Sequence, residues 1–209
     1  MGASRLDELT ARARATIAAA SAPDRRVTAG PDLEEPDGKL LVVVGIDPGV
    51  ATTGYGVVSG STRGDGAYVA RAFGTIETAA GTDAHARLAH IHERVALLLR
   101  HHRPDAVAVE RLFFGKNATT AMAVGQARGV ILLAVAQAGL PLAEYTPLEV
   151  KSALAGFGRA PKAQMQRMVQ ALLALDAPPR PDDAADGLAL ALAHVRLYAT
   201  RMARRAADE

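Results

Sequence analysis

The chain has 209 residues, of which 49% are hydrophobic and 22% charged, as expected for one globular domain with or without an appendage. It contains no cysteine, which excludes disulfides and thiolate metal sites, so any metal must be bound by oxygen or histidine. Its longest strongly apolar run, Val130 to Ala136, is shorter than the roughly 18 residues that a membrane span needs. The N-terminus also lacks the apolar stretch of a secretory signal, and we expect a cytoplasmic protein.

The first 38 residues differ in composition from the rest of the chain. They hold five arginines and seven acidic residues, net charge −2, whereas the other 171 residues hold 19 basic and 15 acidic side chains, net charge +4. Prolines and glycines follow an alanine- and arginine-rich stretch, which indicates a flexible N-terminal extension. A mis-assigned start, a partner-binding arm and a lineage-specific tail are its three explanations. The folded domain is expected at residues 39–198, with a short basic tail at 199–209.

Three strands are predicted first. Leu40 to Ile46 is an unbroken, valine-rich apolar run of the kind found in a central strand covered on both faces. Asp47-Pro48-Gly49 ends it. Tyr55 to Ser59 and Tyr68 to Ile76 alternate loosely around a turn-forming segment, which predicts an antiparallel hairpin continuing from the first strand.

Helices and two more strands follow. Apolar residues at helical spacing predict an amphipathic helix that stops at Pro104, and Ala106 to Val109 predicts a short strand closing on Glu110. Ala118 to Gln137 is almost wholly apolar and predicts a helix buried on most sides. Leu142 to Tyr145 is the fifth strand.

Three further helix starts complete the order. Thr146 to Glu149 has the cap, first-turn proline and third-position acid of a helix N-terminus, Pro161 opens another helix, and the last begins near Asp182. The predicted fold class is α/β, a mixed five-stranded sheet flanked by helices.

Acidic side chains stand at the ends of two predicted strands. Asp47 ends the first and Glu110 the fourth, at the sheet edge where α/β proteins usually bind ligands. Asp183 and Asp186 are spaced i and i+3, so they project from one helix face. Carboxylates that converge raise each other's pKa unless a cation lies among them, which indicates an oxygen-ligated divalent metal site. Two ions about 3.5 to 4 Å apart would suit in-line phosphodiester cleavage.

A purely structural role is the alternative for these acids. An aspartate after a strand often caps a turn, and acids at a helix start stabilise it by capping and through the macrodipole. Glu110 argues against this reading, because it directly ends an apolar strand and has no capping duty.

Four groups of motif residues occur in one order along residues 40–198. They are Gly45-Ile46-Asp47-Pro48-Gly49 with Thr53-Gly54-Tyr55-Gly56-Val57; Glu110 with Phe113 and Lys116-Asn117; Gly125-Gln126-Ala127-Arg128-Gly129-Val130; and Val150-Lys151 with Lys162 and Asp183-Ala184-Ala185-Asp186. With these motifs the chain resembles the RuvC-type Holliday-junction resolvases, which have a ribonuclease H-like fold.

The resemblance implies a metal-dependent endonuclease. Its four acids Asp47, Glu110, Asp183 and Asp186 would hold two Mg²⁺ or Mn²⁺ ions per subunit. A homodimer would resolve four-way DNA junctions by paired symmetric nicks in homologous recombination and DNA repair, with a branch-migration helicase complex of the RuvA and RuvB type as partner. Alignment on the final motif selects Asp183 rather than Asp182, and we expect Asp182 to be the helix N-cap.

Basic and aromatic residues supply the candidate DNA contacts. Lys162 is placed near the scissile phosphate, as a catalytic or a phosphate-binding group, with an ordinary solvated lysine as the alternative. Lys151 and Arg128 are candidates for phosphate contacts, although a structural tie is the alternative for Arg128. Lys116 is a further candidate. Phe113 matches an aromatic that reaches toward the junction, where stacking on an unpaired base is worth about 1 to 3 kcal/mol, whereas Phe114 is as well explained by the core.

Five histidines lie on or beside one predicted helix, at spacings that provide no shared metal face. They are expected at the surface: His85, His90, His92, His101 and His102.

Two other functions compete with the nuclease. The segment from Gly45 to Gly49 also resembles the first phosphate loop of ATPases of the actin, chaperone and sugar-kinase class, but the chain is short for their two domains and has no second Asp-x-Gly turn. A non-catalytic junction binder is the other rival, although it would not require all four acids.

Overall fold

The computed structural model describes residues 40–62, 66–111 and 118–208. Within these ranges the chain forms five strands and five helices in the predicted order. They are β1 (Leu40–Asp47), β2 (Thr52–Ser61), β3 (Tyr68–Glu77), α1 (Ala84–His102), β4 (Ala106–Glu110), α2 (Ala118–Gln137), β5 (Leu142–Tyr145), α3 (Pro147–Ala155), α4 (Lys162–Leu172) and α5 (Asp182–Asp208).

The strands form one mixed sheet in the order β3-β2-β1-β4-β5. β1, β2 and β3 are antiparallel neighbours, as the predicted hairpin requires, whereas β4 pairs parallel with both β1 and β5. Because β1 and β4 are parallel neighbours, their carboxyl ends meet at the same sheet edge. The mixed five-stranded sheet flanked by helices is thereby confirmed.

Side-chain alternation along β1 divides the core into two layers. Val44 and Ile46 pack with α1 and α2, whereas Val43 points to the opposite face, where α3, α4 and α5 pack. Successive side chains of a strand point to opposite faces. Asp47, an even number of residues from Val43, therefore lies on the α5 face.

Helix α5 packs directly on the backbone of β1 and β2. A Cβ atom at Gly45 would lie 2.5 Å from the backbone N of Ala191, and one at Gly56 would lie 2.5 Å from the backbone N of Leu188. On the helix side, a Cβ at Gly187 would lie 2.5 Å from the carbonyl carbon of Tyr55. Glycine in a strand often marks such a close approach of a second backbone.

Several elements differ from their predicted bounds. β2 begins at Thr52 rather than Tyr55, because its ladder with β1 and β3 extends beyond the alternating segment. α5 continues to Asp208 and so includes most of the residues set apart as a basic tail. In the described part of the chain, no helix is long and apolar enough to cross a membrane. The predicted extension at residues 1–38 lies outside the described residues.

Two predictions of burial are corrected by the packing of α1 and α2. His90 is buried rather than at the surface, since it lies on the side of α1 that carries the buried Ile91 and Leu98. Along α2, Met122 is 70% exposed and Leu133 50% exposed. The described residues therefore leave one side of this apolar helix uncovered.

Candidate active site

Asp47 and Glu110 meet at the carboxyl edge of the sheet. Ile46 is the register partner of Val109 in the parallel ladder, so the two acids stand one position further along neighbouring strands. Their side chains share a hydrogen bond. The convergence predicted from the strand ends is therefore present in the structure.

A tight turn after Asp47 holds the end of β1. The buried Thr53 hydroxyl donates to the Gly49 carbonyl oxygen over 2.6 Å and accepts from the Gly49 amide over 3.4 Å. A Cβ at Gly49 would overlap the carbonyl oxygen of Thr52. The turn thus requires glycine, which explains why this residue follows the acid so closely.

The first turns of α5 bring Asp183 and Asp186 to the same edge. Gly54 is the register partner of Asp47, and a Cβ at Gly54 would overlap the carbonyl oxygen of Asp183. The absence of a side chain at position 54 therefore lets the helix start lie directly against the strand beside Asp47. The i, i+3 spacing of the two aspartates then presents both on one helix face.

The pKa of Asp47 is raised by its burial and by the other acids. Burial, the hydrogen bond with Glu110, and the charges of Glu110, Asp186 and Asp183 raise the pKa of Asp47 from 3.8 to about 9. Burial also raises the pKa of Asp186, as do the charges of Glu110 and Asp183, although a hydrogen bond from Lys162 acts in the opposite direction. Four acids on three elements therefore interact as one electrostatic group.

The chemistry of this group fits a hard divalent cation. Carboxylate oxygens are the ligands that Mg²⁺ and Mn²⁺ prefer, and a cation would relieve the repulsion that raises the pKa of Asp47. Among the residues of the described ranges, no three His, Asp or Glu side chains are already arranged as a metal site. The acids are thus close neighbours whose side chains must turn inward to share an ion.

Lys162 is the basic residue of the site. Its Nζ donates to Oδ2 of Asp186 over 3.1 Å. Partial burial would lower the pKa of Lys162, but the hydrogen bond and charge of Asp186, followed by those of Asp182, raise it overall. The side chain is 55% exposed, so the ammonium stands at the rim of the acidic group, where a phosphate can approach it.

Asp182 was predicted to be the N-cap of α5, and this prediction is wrong. It is the first residue of the helix, and the amides of Ala184 and Ala185 bond to the carbonyl oxygen of Pro181 instead. The Asp182 carboxylate accepts hydrogen bonds from Gln166 and Arg180. The wrong assignment arose because a capping residue and a first-turn acid occupy adjacent positions in sequence.

The candidate DNA contacts are only partly described. Arg128 forms an ion pair with Glu144 of β5, and both side chains are largely buried, at 19% and 34% exposure. This is the structural tie that was the alternative for Arg128. Lys151 is partly exposed on α3, the helix that follows β5. Phe113, Phe114, Lys116 and Asn117 lie outside the described residues.

Two structural features of the site were missed from sequence. The close contact of α5 with the sheet depends on glycines such as Gly54 and Gly187. The signal available in the sequence was the presence of glycine inside a strand or helix, which often marks a close approach of another backbone. Glu144 was also missed, because a single acid in a short strand gives no indication of its partner on α2.

The chain matches a known protein family over most of its length. Residues 43–194 match the family described as crossover junction endodeoxyribonuclease RuvC. The crossover junction endodeoxyribonuclease RuvC of Moorella thermoacetica is 57% identical over 157 residues, covering 74% of this chain and 90% of the relative.

Solved structures agree with the sequence relatives. RuvC of T. thermophilus, solved in complex with a Holliday junction substrate, is 40% identical with a TM-score of 0.72, over 78% of this chain and 96% of that one. The yeast mitochondrial Holliday junction resolvase Ydc2 is only 14% identical, with a TM-score of 0.57 over 81% of this chain and 85% of that one, and shows likeness of fold alone.

The expected ribonuclease H-like fold is confirmed by these structural neighbours. The match extends over most of the chain and includes all four acids. An ATPase and a non-catalytic binder are therefore no longer competing assignments. The chain belongs to the RuvC family of crossover junction endodeoxyribonucleases.

Proposed function

We propose that this protein cleaves Holliday junctions by metal-dependent phosphodiester hydrolysis at the acidic group formed by Asp47, Glu110, Asp183 and Asp186. Nucleases of this family depend on a metal, and Mg²⁺ or Mn²⁺ suits the oxygen ligands. The observation that carries the proposal is the convergence of the four carboxylates at one sheet edge, where Asp47 and Glu110 end neighbouring strands and the start of α5 lies against Gly54. Burial and the neighbouring acids raise the pKa of Asp47 to about 9, which is consistent with this crowding. A cation bound among these acids would offset their mutual repulsion and favour the ionised carboxylates that hold it.

The residues of the chain have distinct tasks in this reaction. Asp47 and Glu110 hold ions from the sheet, whereas Asp183 and Asp186 hold them from α5, so the position of this helix sets the size of the site. Lys162 neutralises charge on the phosphate from the rim. Two bound cations would supply an activated water and stabilise the leaving oxygen.

A nicking assay on a synthetic four-way junction tests the proposal. Wild-type protein should nick the junction with Mg²⁺ and leave it intact in EDTA, while a linear duplex of the same sequence is cut far less. Asp47→Asn or Glu110→Gln should abolish nicking and preserve junction binding, since a lost negative charge lessens repulsion of phosphate. Glu93→Gln, an exposed acid on α1, is the matched control. Near-normal nicking by either site variant would contradict the assignment.

We propose in addition that two copies of the chain act as a dimer through α2. Its outward side presents Met122 and Leu133, 70% and 50% exposed, with the exposed Gly129 between them. A two-fold axis needs only one self-complementary surface and provides two opposed active sites for paired nicks. Leu133→Glu should give a monomer by sedimentation at micromolar concentration that no longer nicks two strands together. A wild-type monomer that still makes paired nicks would contradict this.

A further inference from the structure

Lys162 lies between two carboxylates at the beginning of α5. Its Nζ is 3.1 Å from Oδ2 of Asp186 and 3.6 Å from Oδ2 of Asp182. Asp186 belongs to the acidic group of the proposed metal site, whereas Asp182 lies outside it. One ammonium is therefore shared between a carboxylate of the site and a carboxylate beside it.

The carboxylate of Asp182 is anchored through its other oxygen. Nε2 of Gln166 and Nη1 of Arg180 each donate to Oδ1 of Asp182 over 2.9 Å. Gln166 lies four residues after Lys162 on α4, so both side chains extend from one face of that helix. With Oδ1 held in this way, Oδ2 is the oxygen directed toward Lys162.

Asp182 faces two cationic groups at the edge of the site. Its side chain is 43% exposed, and its oxygens lie 3.6 Å from Nζ of Lys162 and 2.9 Å from Nη1 of Arg180. It is therefore placed to act as a counter-charge for Lys162 outside the acidic group.

We propose that Asp182 is a positioning residue, which holds the Lys162 ammonium at the rim of the site and retains it when Asp186 turns to a cation. The inference rests on the proposed function, because only a metal-binding Asp186 has to leave Lys162. Without Asp182, the flexible lysine would either stay on Asp186 and compete with the cation, or move into solvent, away from the phosphate.

Metal affinity and nicking rate together test this role in the full-length protein. Asp182→Asn retains an oxygen for Gln166 and Arg180 but removes the charge that faces Lys162. It should weaken Mn²⁺ binding, measured by calorimetry, and lower the single-turnover nicking rate at saturating junction, each about two- to fivefold, the range that an exposed ion pair supports. Junction affinity should stay unchanged, and Asp182→Glu should recover part of both losses.

A double variant shows whether Asp182 acts through Lys162. When Lys162 is already replaced in Lys162→Met, adding Asp182→Asn should change neither Mn²⁺ affinity nor nicking rate. Asp176→Asn, an exposed acid in the connection between α4 and α5, is the control and should behave as wild type.

Two results would overturn the inference. The first is an equal effect of Asp182→Asn in both backgrounds, which would show that its charge acts directly on the metal. The second is no effect on Mn²⁺ affinity or on nicking in the wild-type background. Neither result bears on the proposed function, which fails only if Asp47→Asn or Glu110→Gln still nicks.

Discussion

Replacing Gly54 by alanine should move the start of α5 away from β2 and thereby disrupt the acidic group. The new Cβ would overlap the carbonyl oxygen of Asp183 and lie 2.9 Å from its Cβ, whereas ordinary contact begins at 3.4 Å. Because the two nearest obstructing atoms belong to the backbone of Asp183, they cannot swing aside, and the helix start must retreat by roughly 1 Å. Asp183 would then stand further from Asp47, the register partner of Gly54.

The expected losses follow from that displacement. Overpacking typically lowers the free energy of unfolding by about 1 to 3 kcal/mol, and a shift of about 1 Å in a catalytic group can lower the rate about 100-fold. Urea denaturation measures the first quantity. Single-turnover nicking of a four-way junction in Mg²⁺, at a temperature where the variant is folded, measures the second.

Gly60→Ala provides a control on the same strand, against the same helix. Its Cβ would lie 2.7 Å from Cδ1 of Tyr68 and 2.8 Å from Cγ1 of Val195, near the far end of β2 from the acids. Because these side-chain atoms can move aside more easily than backbone, it should lose less stability than Gly54→Ala and keep most activity. The reasoning is refuted if Gly54→Ala nicks at close to the wild-type rate, or if Gly60→Ala loses as much activity, since stability alone would then explain the loss.

Three further predictions concern stability and the N-terminus. The raised pKa of Asp47 means that the folded, metal-free protein retains a proton which the unfolded chain releases above pH 4, so stability should fall from about pH 4 to pH 9. In EDTA, Asp47→Asn should lessen this fall and be more stable than wild type at pH 7.5, and equal pH profiles of urea unfolding for the two proteins would contradict this. Arg128→Gln should leave Glu144 without its ion-pair partner and lower the free energy of unfolding by about 1 to 3 kcal/mol, with little change in junction affinity. A large loss of affinity in a filter-binding assay would instead indicate that Arg128 contacts a phosphate. Deletion of residues 1–38 should leave Mg²⁺-dependent nicking intact. Junction binding should be equal or slightly tighter at low salt, because the deleted segment is net negative. A folded truncated protein that cannot nick would show that the segment packs on the domain.

Local pattern determined most of the secondary structure and the identity of the acids. The valine-rich run of β1 indicates a buried central strand because its successive residues meet apolar layers on opposite faces of the sheet, and Asp47 is the charged residue that ends it. Glu110 is recognisable in the same way. Their approach depends only on β1 and β4 being parallel neighbours, a common arrangement in α/β sheets.

Contacts between elements required the tertiary structure. The sharing of Lys162 between Asp182 and Asp186, and the pairing of Arg128 with Glu144, depend on how helices cross the sheet and which rotamers their long side chains adopt. Sequence periodicity reports which face of an element is apolar, but not which polar residue of another element it will meet. The same holds for Gly54: a glycine in a strand signals a close approach, and only the packed helix shows that the approaching group is the backbone of Asp183.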